Sequence, residues 1–235
     1  MPERVMRGSA KSQRMTNVVV IGATGAVGRE LCRLYAADGA VVHAVGRNSA
    51  RLAEIAATTG AQTYRVDLSD VDCAATAATA AALREQQVSL VITAVGGWYV
   101  AEPGLQLPMS TWASTIESNL TAHFAAARTF APILSGERPF YVALNGIASH
   151  YPCEGSIAIS VAGVGQRMML DVLAAEGREQ ATTFAELVVD TPILMPGERW
   201  ETDELTHSIE QVYTAIRSLV TQNAAAGTVL RAHLG

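Results

Sequence analysis

One stretch constrains this chain more than any other. The β-branched run Val18-Val19-Val20-Ile21 meets the turn Gly22-Ala23-Thr24-Gly25-Ala26-Val27-Gly28, and an amphipathic stretch then runs to Gly39. Few folds drive a buried strand straight through glycines into a helix. At such a turn the glycines let the backbone reverse tightly, approach a pyrophosphate closely and pack helix against strand. The helix start then offers unpaired N–H groups and a favourable dipole to an anion. A glycine pattern alone is weak evidence, so its meaning depends on the rest of the chain.

Beyond Gly39 the pattern alternates. The runs 40–46, 62–68, 88–97, 138–146, 181–190 and 227–234 read as strands. The segments 49–60, an alanine-rich stretch ending near Gln87, 110–130, 156–177 and 203–222 read as helices between them. Strands alternating with helices of this length imply right-handed βαβ units and a doubly wound, Rossmann-type parallel sheet of about seven strands in three α/β/α layers. The first residues, 1–15, are polar, basic and aperiodic and read as a disordered tail. Residues 16–235 read as one domain.

Composition excludes several roles. The net charge of −5 argues against a broad nucleic-acid surface. No apolar run looks long enough to span a membrane, and no signal peptide is apparent. Cys32, Cys73 and Cys153 are widely spaced, which suits reduced thiols in a cytoplasm. The histidines show no metal-ligand spacing, so no structural metal is expected. Of the 17 basic residues only Lys11 is a lysine, and the arginine and alanine excess fits a GC-rich, bacterial genome.

The second strand ends in Gly46-Arg47-Asn48. Dinucleotide-binding domains that prefer NAD place a carboxylate there for the ribose 2′-hydroxyl. Here Gly46 takes that place, and the planar fork of Arg47, with Asn48 beside it, suits a 2′-phosphate. This favours NADP(H) as cofactor, the alternative being a surface arginine at a turn. Asp67 and Leu68, at the end of the third strand, would lie beside the adenine, although Asp67 could equally cap the next helix.

Together these features resemble the short-chain dehydrogenase/reductase family over about residues 17–235. The glycine turn (Gly22, Thr24, Gly25, Ala26, Val27, Gly28), the GRNSARL segment and the VDL after the third strand all match. Thr93-Ala94-Val95-Gly96 stands where the family has its Asn-Asn-Ala-Gly turn, which makes Ala94, Val95 and Gly96 candidate cofactor contacts. Trp112 and Asn119-Leu120 match the Trp…Asn-Leu spacing. Thr191-Pro192-Ile193 resembles the loop that packs on the nicotinamide, which implicates Pro192 and Ile193. The resemblance also implies a tyrosine as general acid/base, a lysine four residues later and a serine. Aligned on residues 155–165, the tyrosine position holds Ile159, the lysine position Gly163 and the serine position Gly146, and only Asn119 of the proton relay remains. Gly163 and Gly165 would either leave open space or admit close packing by a neighbouring helix, each costing the helix about 1 kcal/mol relative to alanine.

His150 could supply a proton near neutral pH, and Tyr151 a hydrogen bond. Both could equally be ordinary loop residues. Trp98, Tyr99 and Trp200 are expected to rim the pocket. His123, one turn after Asn119, has no assigned role. The leading reading is an NADPH-dependent oxidoreductase with altered acid catalysis. The alternatives are a non-catalytic cofactor-binding or partner subunit, and a dehydratase, isomerase or cyclase reusing the pocket. The family forms dimers through the fourth and fifth helices. The small apolar residues Ala122, Ala125, Ala126, Ala162, Met168 and Met169 therefore suggest a homodimer or homotetramer.

Overall fold

A computed structural model describes residues 16–199 and 205–235. The expectations for residues 1–15 and for Trp200 lie outside the described residues. The first half of the chain runs β1 (Asn17–Ile21), α1 (Ala26–Ala37), β2 (Val41–Gly46), α2 (Ser49–Thr59), β3 (Gln62–Arg65), α3 (Ala74–Arg84) and β4 (Leu90–Thr93). Next come α4 (Met109–Ile116), a π-turn over Glu117–Thr121, α5 (Ala122–Phe130), β5 (Phe140–Gly146) and α6 (Ile157–Glu176). The chain then adds β6 (Thr183–Val189), β7 (Ile193–Leu194), β8 (His207–Ser208), α7 (Ile209–Leu219) and β9 (Leu230–Leu234).

Seven strands form one parallel sheet in the order β3-β2-β1-β4-β5-β6-β9, while β7 and β8 pair in a short ribbon. The four-residue β4 is wholly buried, as expected of a strand covered on both faces. Successive side chains of β1 feed opposite cores. Val18 and Val20 join Leu31, Ile55, Val142, Leu187 and Ile216 on one face. Val19 and Ile21 join Leu83, Phe130, Tyr141 and Leu170 on the other. The chain winds outward from β1 to β3 and then returns to β4 beside β1. The order therefore reverses between β1 and β4, and a crevice opens there at the carboxyl ends of the strands.

Several expected boundaries shift for local reasons. β3 stops at Arg65 rather than 68, because the Asp67 carboxylate turns the chain by accepting the Ser69 N–H (3.1 Å) and hydroxyl (2.8 Å). The last strand begins at Leu230, after a turn at Gly227 with φ +77°. The final helix begins at Ile209 rather than 203, where Ser208 and Gln211 form a reciprocal capping box. The helix expected over 110–130 contains a π-turn. There the Asn119 side-chain amide donates to Thr115 O at 3.2 Å, the carbonyl that the Asn119 N–H would take in a regular α-helix.

α6 corrects the composition reading, because it is 20 residues long with an 18-residue window of mean hydropathy 1.4, long and apolar enough to cross a membrane. In this fold Ala158, Ala162, Gln166, Leu170 and Ala174 are buried. A second apolar stripe on the same helix, Val161, Val164, Met168 and Val172, is exposed.

Candidate functional site

At the switch point lies a cleft of about 490 Å³, bordered by the ends of β1, β2, β3 and β4 and by the helix edge Ser114–Ala122. Its floor needs glycine. Gly22 has φ +83°, and a β-carbon there would lie 2.2 Å from the Ala94 carbonyl oxygen. A β-carbon on Gly28 would lie 2.3 Å from Gly22 O, so α1 touches the turn backbone to backbone. Gly25 is the N-cap of α1 and contributes no side-chain cap, and α1 has no acidic residue in its first turn. The first-turn N–H groups of Ala26, Val27 and Gly28 are thus available to an anion.

The far wall is cationic. Arg47 and Arg51 line the cleft, and the Arg51 guanidinium donates to Thr24 O at 3.2 Å, tying the second helix to the glycine turn. Arg65 donates to Arg47 O at 3.4 Å. Asp67 faces them, its carboxyl held below the usual range by the Ser69 N–H and hydroxyl first, then by Arg47 and Arg65. Its contacts make it the anchor of a turn. The helix-cap alternative fails, because Cys73 is the N-cap of α3. Leu68 lines the cleft, whereas Asn48 does not. The Asn48 side chain caps α2 by accepting the Arg51 N–H at 3.1 Å. A β-carbon at Gly46 would meet the Thr24 methyl at 2.8 Å, so the place that could carry a carboxylate is taken by Thr24.

Ala94, Val95 and Gly96 line the cleft from β4. Asn119 holds this loop by accepting the Gly97 N–H at 2.9 Å. His123, without a role in the sequence reading, lies buried beneath it and donates from Nε2 to Val95 O at 3.3 Å. Burial pushes its pKa down to about 4. Arg51 was also missed. Arg47 precedes α2 and Arg51 lies in its first turn, so only the fold, which brings Arg51 to Thr24 O, places it on the cleft.

The other predicted residues lie apart from this cleft. Pro192 O accepts the His207 N–H at 3.0 Å, and Ile193 pairs with His207 in the β7–β8 ribbon. Tyr151 is 62 % exposed. The His150 ring packs on the His233 ring with centroids 4.4 Å apart, and the Arg167 guanidinium contacts its nitrogens. Desolvation first, then Arg167 and His233, lower its pKa. Tyr99 is pinned rather than free, sharing a hydrogen bond with Thr115 at 2.7 Å, while Trp98 is exposed.

On α6, Ile159 is buried and Gly163 faces the end of β5. Of the two expectations for the α6 glycines, the structure takes close packing. A β-carbon at Gly163 would lie 3.0 Å from Ser149 Cβ and 3.1 Å from Asn145 Oδ1, and one at Gly165 would lie 3.0 Å from Leu120. Beneath it, Asn145 Nδ2 donates to Gly163 O (3.0 Å) and to Glu186 (2.8 Å), and the buried Glu186 accepts from Arg231 at 2.9 Å.

Residues 16–202 match the family model described as short chain dehydrogenase. The chain belongs to the short-chain dehydrogenase family. Among the family's curated proteins, serine 3-dehydrogenase from Agrobacterium fabrum is 25 % identical over 140 residues, covering 59 % of this chain and 56 % of that protein. The match thus spans little more than half the relative's length. Among solved structures, ribose-5-phosphate isomerase from Brucella melitensis 16M superposes with a TM-score of 0.78 at 19 % identity, covering 93 % of this chain and 91 % of that one. BdcA in complex with NADPH superposes with a TM-score of 0.74 at 17 % identity, covering 93 % of both chains. At such identities these structures establish the α/β fold, and chemistry must be argued from the site.

Proposed function

We propose that this chain binds NADP(H) in the β1–β4 cleft and is an atypical NADPH-dependent reductase working without the family's Tyr–Lys acid/base pair. The observation that carries the cofactor reading is the arginine wall, with Arg47 and Arg51 on the cleft and Arg65 bonded to Arg47, opposite the glycine turn and the uncapped start of α1. The first-turn amides of α1 would hold the pyrophosphate, and the two guanidinium forks the 2′-phosphate. Leu68 and Val95 would flank the adenosine, and Pro192 and Ile193 the nicotinamide.

When bound, the cofactor supplies hydride, and the protein's part is to bind and orient it. Aligning the family's pattern on residues 155–165 puts the buried, apolar Ile159 at the acid/base position. The nearby Ser149 hydroxyl donates to Gly146 O at 2.8 Å and is not free as an acid. An acceptor that needs no strong proton donor fits such a site. An iminium carbon that takes hydride becomes an amine with no proton added, and an activated double bond can take its proton from water. In a panel assay of NADPH oxidation, turnover of iminium or activated-alkene acceptors but not simple ketones is expected. Ketone turnover at rates ordinary for the family would sink the claim.

A second reading, cofactor binding without turnover, draws on the packing of Ser149 and Asn145 against Gly163. Silence across the panel with cofactor binding intact would favour it. Self-association fits the exposed stripe Val161, Val164, Met168 and Val172 with Phe124, rather than the buried Ala125, Ala126 and Ala162. Light scattering should give a dimer or tetramer mass, and a monomer mass would reject it. The free thiols of Cys32, Cys73 and Cys153 suit the reducing cytoplasm proposed as its location.

A further inference from the structure

The cleft is built for one half of a dinucleotide. Its walls come from the glycine turn, the ends of β2 to β4 and the helix edge at Ser114–Ala122. The cationic groups Arg47, Arg51 and Arg65 and the uncapped α1 terminus all serve this half. They match a 2′-phosphorylated adenosine carrying a diphosphate.

At the ends of β5 and α6 most polar groups are already spent on the protein itself, the buried Ser160 hydroxyl being the exception among the described residues. Asn145 gives its amide hydrogens to Gly163 O and Glu186, and its oxygen accepts the Gly146 N–H at 2.9 Å. The Ser149 hydroxyl goes to Gly146 O. The Asn119 amide goes to Thr115 O and to Ser118 at 2.9 Å, and its oxygen takes the Gly97 N–H. The loops across this end are tied shut on each other, with Ala101 N–H donating to Gly155 O (2.9 Å) and the Ser156 hydroxyl to Tyr99 O (2.9 Å). After β6, the Thr191 hydroxyl is buried and has no partner among the described residues. One neutral hydrogen bond changes affinity by roughly fivefold.

We infer that the 2′-phosphoadenosine diphosphate moiety supplies nearly all of the cofactor affinity, so the site takes 2′-phospho-ADP itself as a full ligand. This rests on the reading of the cleft as an NADP(H) site. Ligands that share this moiety then compete on nearly equal terms, whatever they carry beyond the second phosphate. The nicotinamide end is held loosely, by the loop after β6 and little else.

Calorimetry on the intact protein tests it with three probes, NADP⁺, 2′-phospho-ADP and nicotinamide mononucleotide. The expected result is a 2′-phospho-ADP affinity within about tenfold of NADP⁺, allowing one or two hydrogen bonds beyond the moiety, and no detectable mononucleotide binding at millimolar concentration. The variant Arg51→Ala should weaken NADP⁺ and 2′-phospho-ADP by the same factor. NADP⁺ binding more than tenfold tighter than 2′-phospho-ADP would overturn the inference while leaving the NADP(H) reading standing. Binding of none of the three would overturn both.

Discussion

The two halves of the sheet use their polar groups in opposite ways. From β1 to β4, helix-start amides and guanidinium groups border an open cleft, and the glycines at positions 22 and 28 let the turn pack against Ala94 and against α1. From β5 to β9, Asn145, Glu186, Arg231 and Asp171 join in one chain of hydrogen bonds beneath α6, where the glycine at position 163 lets a neighbouring turn pack in. Glycine does the same local work in both halves, letting neighbouring protein pack where a β-carbon would clash. What differs is that the first half leaves its helix-start amides and guanidinium groups at an open cleft. On the proposed reading, the first half carries cofactor binding without help from the second.

The largest effect should come from closing the first half. Gly22→Ala adds a β-carbon 2.2 Å from a carbonyl oxygen at a left-handed φ, which should cost about 2–5 kcal/mol and abolish any thermal shift with NADP⁺. An unchanged melting temperature and shift would break the comparison. Next is the buried His123 beneath the β4 loop. Its folded pKa of about 4 lies below the ordinary value near 6.5, so the folded state favours the neutral ring. Its stabilisation is complete above pH ~6.5 and is lost as pH falls towards 4, to the extent of about 3 kcal/mol. Urea unfolding at pH 7 and pH 4.5 should show this slope in the wild type and a flatter one in His123→Gln. Equal slopes would remove His123 from the account.

Smaller effects sharpen the contrast between the halves. Arg47→Ala and Arg51→Ala should each weaken NADP⁺ binding about tenfold, or ~1.4 kcal/mol, and leave NAD⁺ binding unchanged. Equal loss for both cofactors would mean that the arginines hold structure rather than a 2′-phosphate. The smallest change is expected for Gly163→Ala. Alanine gains about 1 kcal/mol of helix propensity, but its β-carbon would press on Ser149 at 3.0 Å. The net change in stability should stay under ~1 kcal/mol, with NADP⁺ affinity unaltered. Loss of cofactor binding in this variant would show that the second half carries affinity after all.

Much of the first half was legible in the sequence because its signals are local. The β-branched run before Gly22 and the strand end at Gly46 each depend on a few neighbouring residues, whereas the strands read as running to 68 and 97 stop at Arg65 and Thr93. The features that escaped depend on contacts between distant segments or on helix orientation. Asn48 looked like a cofactor contact, but its side-chain oxygen caps the next helix. Arg51 was passed over because only the fold brings it to Thr24. Ala125, Ala126 and Ala162 read as an interface because alanine suits either face of a helix, but they are buried, while Met168 of the same set is exposed beside Val161, Val164 and Val172. The choice between open space and close packing at Gly163 was undecidable without knowing where the turn bearing Ser149 would fall.

The central claim is that the arginine wall makes this an NADP(H) site. The most direct test is the ratio of NADP⁺ to NAD⁺ affinity of the wild-type protein, measured by calorimetry at low and at physiological salt. The account predicts NADP⁺ at least tenfold tighter, with the ratio shrinking as salt screens the arginines. Equal affinities, or tighter binding of NAD⁺, would contradict it.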